Sequence, residues 1–145
     1  MHQRKWAATL VFLSAILLLL LSTGCGQYVK GAEQEEILQT VEPITDRLLD
    51  AIEARDFSII QPDFSEKLSA DLTEEKFLTF TDTFNNAMGK YQSREVYHVK
   101  QDPEHLTVVY KMIFEKSDQV VLNLIFANDD LKHISGIRFT GPGLQ

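Results

Sequence analysis

The stretch LTVVYKMIFEKSDQVVLNLIF, residues 106–126, decides the fold. Leu106, Val108, Tyr110, Met112 and Phe114 alternate with Thr107, Val109, Lys111, Ile113 and Glu115. After a tight "KSD", Val120, Leu122, Leu124 and Phe126 repeat the scheme. Successive side chains of a strand point to opposite faces, so a period of two marks two strands with one face buried. The three-residue link makes them an antiparallel hairpin. Outward from this pair, the spacing predicts strands over 93–100, 106–116, 119–127 and 132–140. They are joined by the turn formers of "QDPEH" and "NDD", and the result is a four-stranded meander. Gly136 inside the last strand predicts a bulge and stronger curvature.

Upstream the period changes. Ile37, Val41, Ile44, Leu48 and Ile52 recur at helical spacing, and Pro43 among them limits the firm part of the helix to 42–54. "DFSIIQPDF" breaks that pattern, and "SEKLSA" forms one short turn. Phe77, Phe80, Phe84 and Met88 make a second apolar face, with Asp71 and Glu74 as a capping box and Gly89 as terminator. Helices first and strands later predict an α+β domain over 37–145, its helices packed on one face of a curved four-stranded antiparallel sheet.

The front of the chain has a different character. Residues 1–5 carry Arg4 and Lys5, and residues 6–21 are an unbroken apolar or small-residue run. This is a signal-peptide plan, and 16 residues are short against the roughly 20 that a spanning helix needs. Basic residues at the front place the rest of the chain outside the cytoplasm. "STGC", residues 22–25, resembles the lipobox of bacterial lipoprotein precursors, with Ser22 in place of the usual leucine. That resemblance implies cleavage after Gly24, diacylglycerol on the Cys25 sulfur, and a membrane anchor on the outer face or in the periplasm. Two acyl chains hold a protein where one is marginal. Residues 1–24 are then the leader, and 25–36 the lipidated cysteine and a polar tether.

With Arg4 and Lys5 removed, 12 basic residues face 21 acidic ones. This balance argues against nucleic acid, whose phosphates need clustered Lys and Arg, and predicts repulsion from anionic lipid headgroups. One cysteine cannot form a disulfide within the chain.

The phrases "LLDAIEARDFS", "FSEKLSADLTEEKF", "MGKYQSREV", "YKMIFEKSDQVVLNLIF" and "LKHISGIRF" together resemble the nuclear transport factor 2-like superfamily of curved-sheet cone domains. Within it they resemble a small bacterial family of unknown function found in lipoproteins and extracellular proteins. The superfamily holds enzymes, among them ketosteroid isomerases and dehydratases, beside members that only bind or dimerise, and fold alone does not choose between them.

Tyr97 and Tyr110 are the candidates for hydroxyls in the cone pocket, with core packing and a wet tip as the plainer role. Strand alternation puts His98 on the face opposite Tyr97. No His or carboxylate pattern has metal-ligand spacing, no nucleophile elbow or phosphate-binding loop occurs, and no cofactor or metal is expected. Val109, Ile113, Val121 and Ile125 line the second face of the sheet, interleaved with polar residues. They predict an interface, with a second copy or with an envelope protein. The expected function is a non-catalytic ligand- or protein-binding domain on a lipid anchor. The alternative is a small-molecule isomerase, dehydratase or hydrolase using the cone cavity.

Overall fold

The computed structural model describes residues 26–144. Gly24 and Cys25, and with them the leader and the lipobox, lie outside the described residues. The elements run β1 (Gln27–Val29), α1 (Ala32–Ala54), two single 3-10 turns, α2 (Glu66–Asp71), α3 (Glu74–Met88), β2 (Tyr91–Gln101), β3 (His105–Phe114), β4 (Ser117–Ala127) and β5 (Asp130–Thr140). The strands form one antiparallel sheet in the order β1-β2-β3-β4-β5, and the helices pack on one of its faces. Among the described residues no helix is long and apolar enough to cross a membrane.

The period-two segments form strands as predicted, but the sheet has five strands rather than four. The fifth comes from the segment expected to be a tether: Tyr28 pairs with Lys100 and Val29 with Val99. Val29 is buried, which gives this short strand an anchor in the core. Gly31 then turns the chain at φ 67°, a left-handed value that suits glycine, and α1 begins at Ala32, ten residues ahead of the predicted firm part. Pro43 lies inside this helix without ending it. Pro43 and Gln39 are both exposed, so the carbonyl left without an N–H donor faces water.

The α3 cap also differs from the expected one. Asp71 ends α2, and Thr73 caps α3 by accepting from the Lys76 N–H. Gly89 closes α3 at φ 70°. The "SEKLSA" turn is α2 itself, capped by Ser65.

The core lies between the helices and the inner face of the sheet. Val41, Leu48 and Ile52 of α1 and Phe77 and Phe84 of α3 meet Val108, Leu122, Leu124 and Phe126. Phe84 packs its ring against Phe114 and Phe139, at centroid separations of 5.2 and 4.7 Å. Beside β5, the Ser65 N–H donates to the Ile134 carbonyl, and Phe64 bridges to Ile134. The ladder shifts register between Ile125 and Phe126 opposite Gly136, where the glycine predicts a bulge. A Cβ on Gly136 would stand 3.2 Å from Ile125 Cδ1, a tight contact that the tip of the isoleucine would have to relieve by a few tenths of an ångström.

The two faces of β3 and β4 predict different costs. Leu122→Ala, in the sealed inner face, lowers unfolding stability by about 2–5 kcal/mol. Ile113→Ala, on the outer face and 42% exposed, changes it by less than about 1 kcal/mol. Urea denaturation of the two variants checks the assignment of faces.

Candidate functional site

Two separate features occupy the space between helices and sheet. The first is polar and closed around Tyr110 and Arg94, with Glu42 and Asp46 at its solvent edge. Arg94 stands at an inward position of β2, opposite Met112, where alternation calls for an apolar residue. A guanidinium there needs partners, and α1 supplies them: Arg94 Nη2 donates to Glu42 and, at 2.7 Å, to Asp46 Oδ1. The guanidinium also lies 5.6 Å from the Tyr110 ring centroid. The Tyr110 hydroxyl donates to Glu42 Oε1 at 3.0 Å and lies 3.1 Å from Thr45 Oγ1, whose hydroxyl also reaches the Val41 carbonyl at 3.0 Å. Among the described residues no buried side-chain nitrogen or oxygen lacks a partner.

The electrostatics reflect this closure. Burial pushes the Tyr110 hydroxyl well above its ordinary value of 10.0. The contact with the Thr45 hydroxyl opposes the shift, and the Glu42 carboxylate adds to it. Burial by itself would lower Arg94, but its hydrogen bonds to Glu42, Asp46 and Tyr91 outweigh that and hold it raised and charged. Tyr110 is 0% exposed, so the wet tip expected for it is absent, and no substrate can reach the hydroxyl without opening the core.

Tyr97 is also displaced from its expected place. A register shift between Val96 and His98 makes Tyr97 the extra residue of a bulge on β2. The bulge cancels one step of alternation, so Tyr97 and His98 lie on the same outer face, ring centroids 4.8 Å apart, with Lys111 Nζ 4.2 Å over the Tyr97 ring. Tyr97 is 56% exposed on the outer face, and the two tyrosines expected in one pocket lie on opposite faces of the sheet.

The second feature is an apolar cleft of about 350 Å³, bounded by Leu48 and Ile52 of α1, Phe77, Phe80 and Phe84 of α3, and Ile137 and Phe139 of β5. The turn after β5 brings Leu144 against it, with Gly143 at φ 83°. Thr83 contributes the one polar side chain of the lining, and no ionisable group borders it. Such a cleft can hold an apolar body by burial alone. It has nothing to donate or remove a proton.

The four residues read as an interface share the outer face of the sheet. Val109 is covered by its neighbours, Val121 and Ile125 are half-buried, and Ile113 is exposed. The periodicity located this face but not the polar junction. The signal for the junction was Arg94, a lone cation at a core-facing position of a strand, while Glu42 and Thr45 look like ordinary helix residues. The cleft residues were legible as core, and their incomplete packing was not. Among the described residues no group of three metal-ligating side chains converges.

The junction predicts a pH dependence. Both the folded and unfolded chains keep the Tyr110 proton below pH 10; above it the unfolded chain releases the proton first, so stability falls as pH rises past 10.0. This group contributes a slope of at most about 1.4 kcal/mol per pH unit. In Tyr110→Phe that part of the alkaline limb disappears, as urea midpoints measured across the alkaline range will register.

Comparison with known proteins adds one finding and two absences. No curated protein and no solved structure matches the chain. A family model described as "Protein of unknown function (DUF3887)" matches residues 45–135, from the middle of α1 into β5, with Glu42 of the junction and Ile137 and Phe139 of the cleft outside the matched span. That match covers more than half of the chain, and the protein belongs to the DUF3887 family.

Proposed function

We propose that the chain is an extracytoplasmic lipoprotein, anchored through diacylglycerol on Cys25, whose nuclear transport factor 2-like domain binds a small apolar ligand without transforming it. The observation that carries the binding role is the cleft: about 350 Å³ of space lined by aromatic and aliphatic side chains, with Thr83 alone to orient what enters. The ionisable groups of the interior point to binding rather than catalysis, because Glu42, Arg94 and Tyr110 satisfy one another away from the cleft. Helices on one face of a sheet bent by bulges in β2 and β5 support the cone-domain reading. The leader and "STGC" support the anchor.

Intact mass of the membrane-extracted protein tests the anchor. The expected product starts at Cys25 and carries acyl mass, and Cys25→Ser lacks that mass; an unmodified thiol on the wild-type chain rejects the reading. For the cleft, titration with an apolar fluorophore such as N-phenyl-1-naphthylamine is expected to saturate at one site per chain. Phe80→Glu, which brings a carboxylate into that lining, weakens binding by about tenfold or more. Binding unchanged in Phe80→Glu, or absent from the wild type, removes the cleft from consideration.

A further inference from the structure

The outer face of the sheet carries a pattern that the overall charge conceals. Of the 21 acidic residues, 14 lie between Glu33 and Asp82, in the helical layer and its loops, against four basic ones. The sheet is nearly balanced, and its outer face inverts the sign. The register puts Lys100 beside Thr107, Lys111 beside Val121 and Arg138 beside Asn123, all on the side away from the helices, with two acids among them: Glu95, 3.8 Å from Lys111, and Asp102, at the margin near Lys100. The domain therefore has an acidic side and a basic side.

The same face holds the exposed large apolar and aromatic side chains of the described residues, Tyr28 (60%), Tyr97 (56%) and Ile113 (42%). Tyrosine, with an apolar ring and a polar tip, suits the headgroup level of a bilayer, and lysine and arginine suit anionic headgroups. Gly26, next to Cys25 in sequence, lies at the margin of this face, where a Cβ would meet Lys100 Cε at 2.5 Å. With β1 starting at Gln27, an anchor on Cys25 has no long tether and brings this face to the surface.

We propose that the outer face of the sheet rests on an anionic bilayer surface, with the acidic helical layer turned away from it. The proposal rests on the Cys25 anchor, which supplies the local concentration. The field of anionic lipid attracts the basic side and repels the acidic one, so the charge separation sets the orientation although the total charge is negative. A second copy fits less well, since face-to-face pairing gathers two sets of Lys100, Lys111 and Arg138 around only Glu95 and Asp102 from each chain.

The test uses the full chain, purified from membranes and reconstituted into vesicles of phosphatidylcholine with or without phosphatidylglycerol. Lysine acetylation is read by mass spectrometry, with Lys76 of α3 as the internal reference. Lys111 is expected to react about fivefold or more slowly, relative to Lys76, when phosphatidylglycerol is present, because one basic side chain at an anionic surface is worth roughly that factor. In the Lys111→Glu/Arg138→Glu double variant, Lys100 serves as the reporter and loses its dependence on phosphatidylglycerol, while circular dichroism stays that of the parent. Equal reactivity on the two vesicle types overturns the proposal. So does protection that grows with protein density and accompanies cross-linked pairs, which assigns the face to a second copy. Intact mass of the same sample reads the anchor separately: a missing acyl group refutes the anchor, and the Lys111 footprint still decides the face for a chain held at the vesicle by other means.

Discussion

Helix α1 is held to the sheet by a polar junction set inside an apolar contact. Apolar burial supplies the larger stabilisation, but it is non-directional and would tolerate sliding of the helix over the sheet. Arg94 removes that freedom. Its guanidinium is largely covered, and Glu42 and Asp46, one helical turn apart, meet it together. Tyr110 and Thr45 tie the adjacent strand to the same turn. Displacing α1 would separate the Tyr110 hydroxyl from Glu42 and Thr45 and leave that buried group without a partner, at a cost of the order of 1–3 kcal/mol. The positions of Leu48 and Ile52, and so the shape of the cleft farther along the helix, depend on that registration.

Each element was legible in proportion to how strongly its physical signal repeats. Leu106 to Phe126 alternates over two long strands, and the pairing of Leu106 with Phe126 and of Tyr110 with Leu122 is what that alternation requires. The α3 stripe of Phe77, Phe84 and Met88 was legible for the same reason. β1 was missed because its three residues contain a single buried side chain, Val29, too few to establish a period. The early start of α1 was missed because its first turn is polar and solvated, and Pro43 weighed against continuity although it stands on the exposed side. At Tyr97 alternation failed outright. A bulge adds one residue to one strand, and nothing in the residues themselves announces it.

The separation of the two interior features bears on chemistry. An active site brings a polar group to the place where a ligand sits. Here the polar groups of the junction bond to one another, and the apolar cleft is bordered by carbon apart from Thr83. Helices on one face of an antiparallel sheet fit many activities, so the content of the cleft carries more weight than the outline of the fold. Membership of a family of unknown function leaves that content as the guide.

The short β1 has one further consequence. It pairs with β2 at Val99, Lys100 and Gln101, and so, among the described residues, leaves the outer edge of β2 from Tyr91 to His98 without a strand beside it. A bare edge invites another chain to extend the sheet, which is the usual beginning of edge-to-edge aggregation. The register shifts at Tyr91/Ser93 and Val96/His98 interrupt this same segment, and Arg94 and Glu95 put charges between them. An incoming strand would find no long run of regularly spaced partners. The irregularity that moves Tyr97 to the outer face thus also breaks up the open edge that a second sheet would extend.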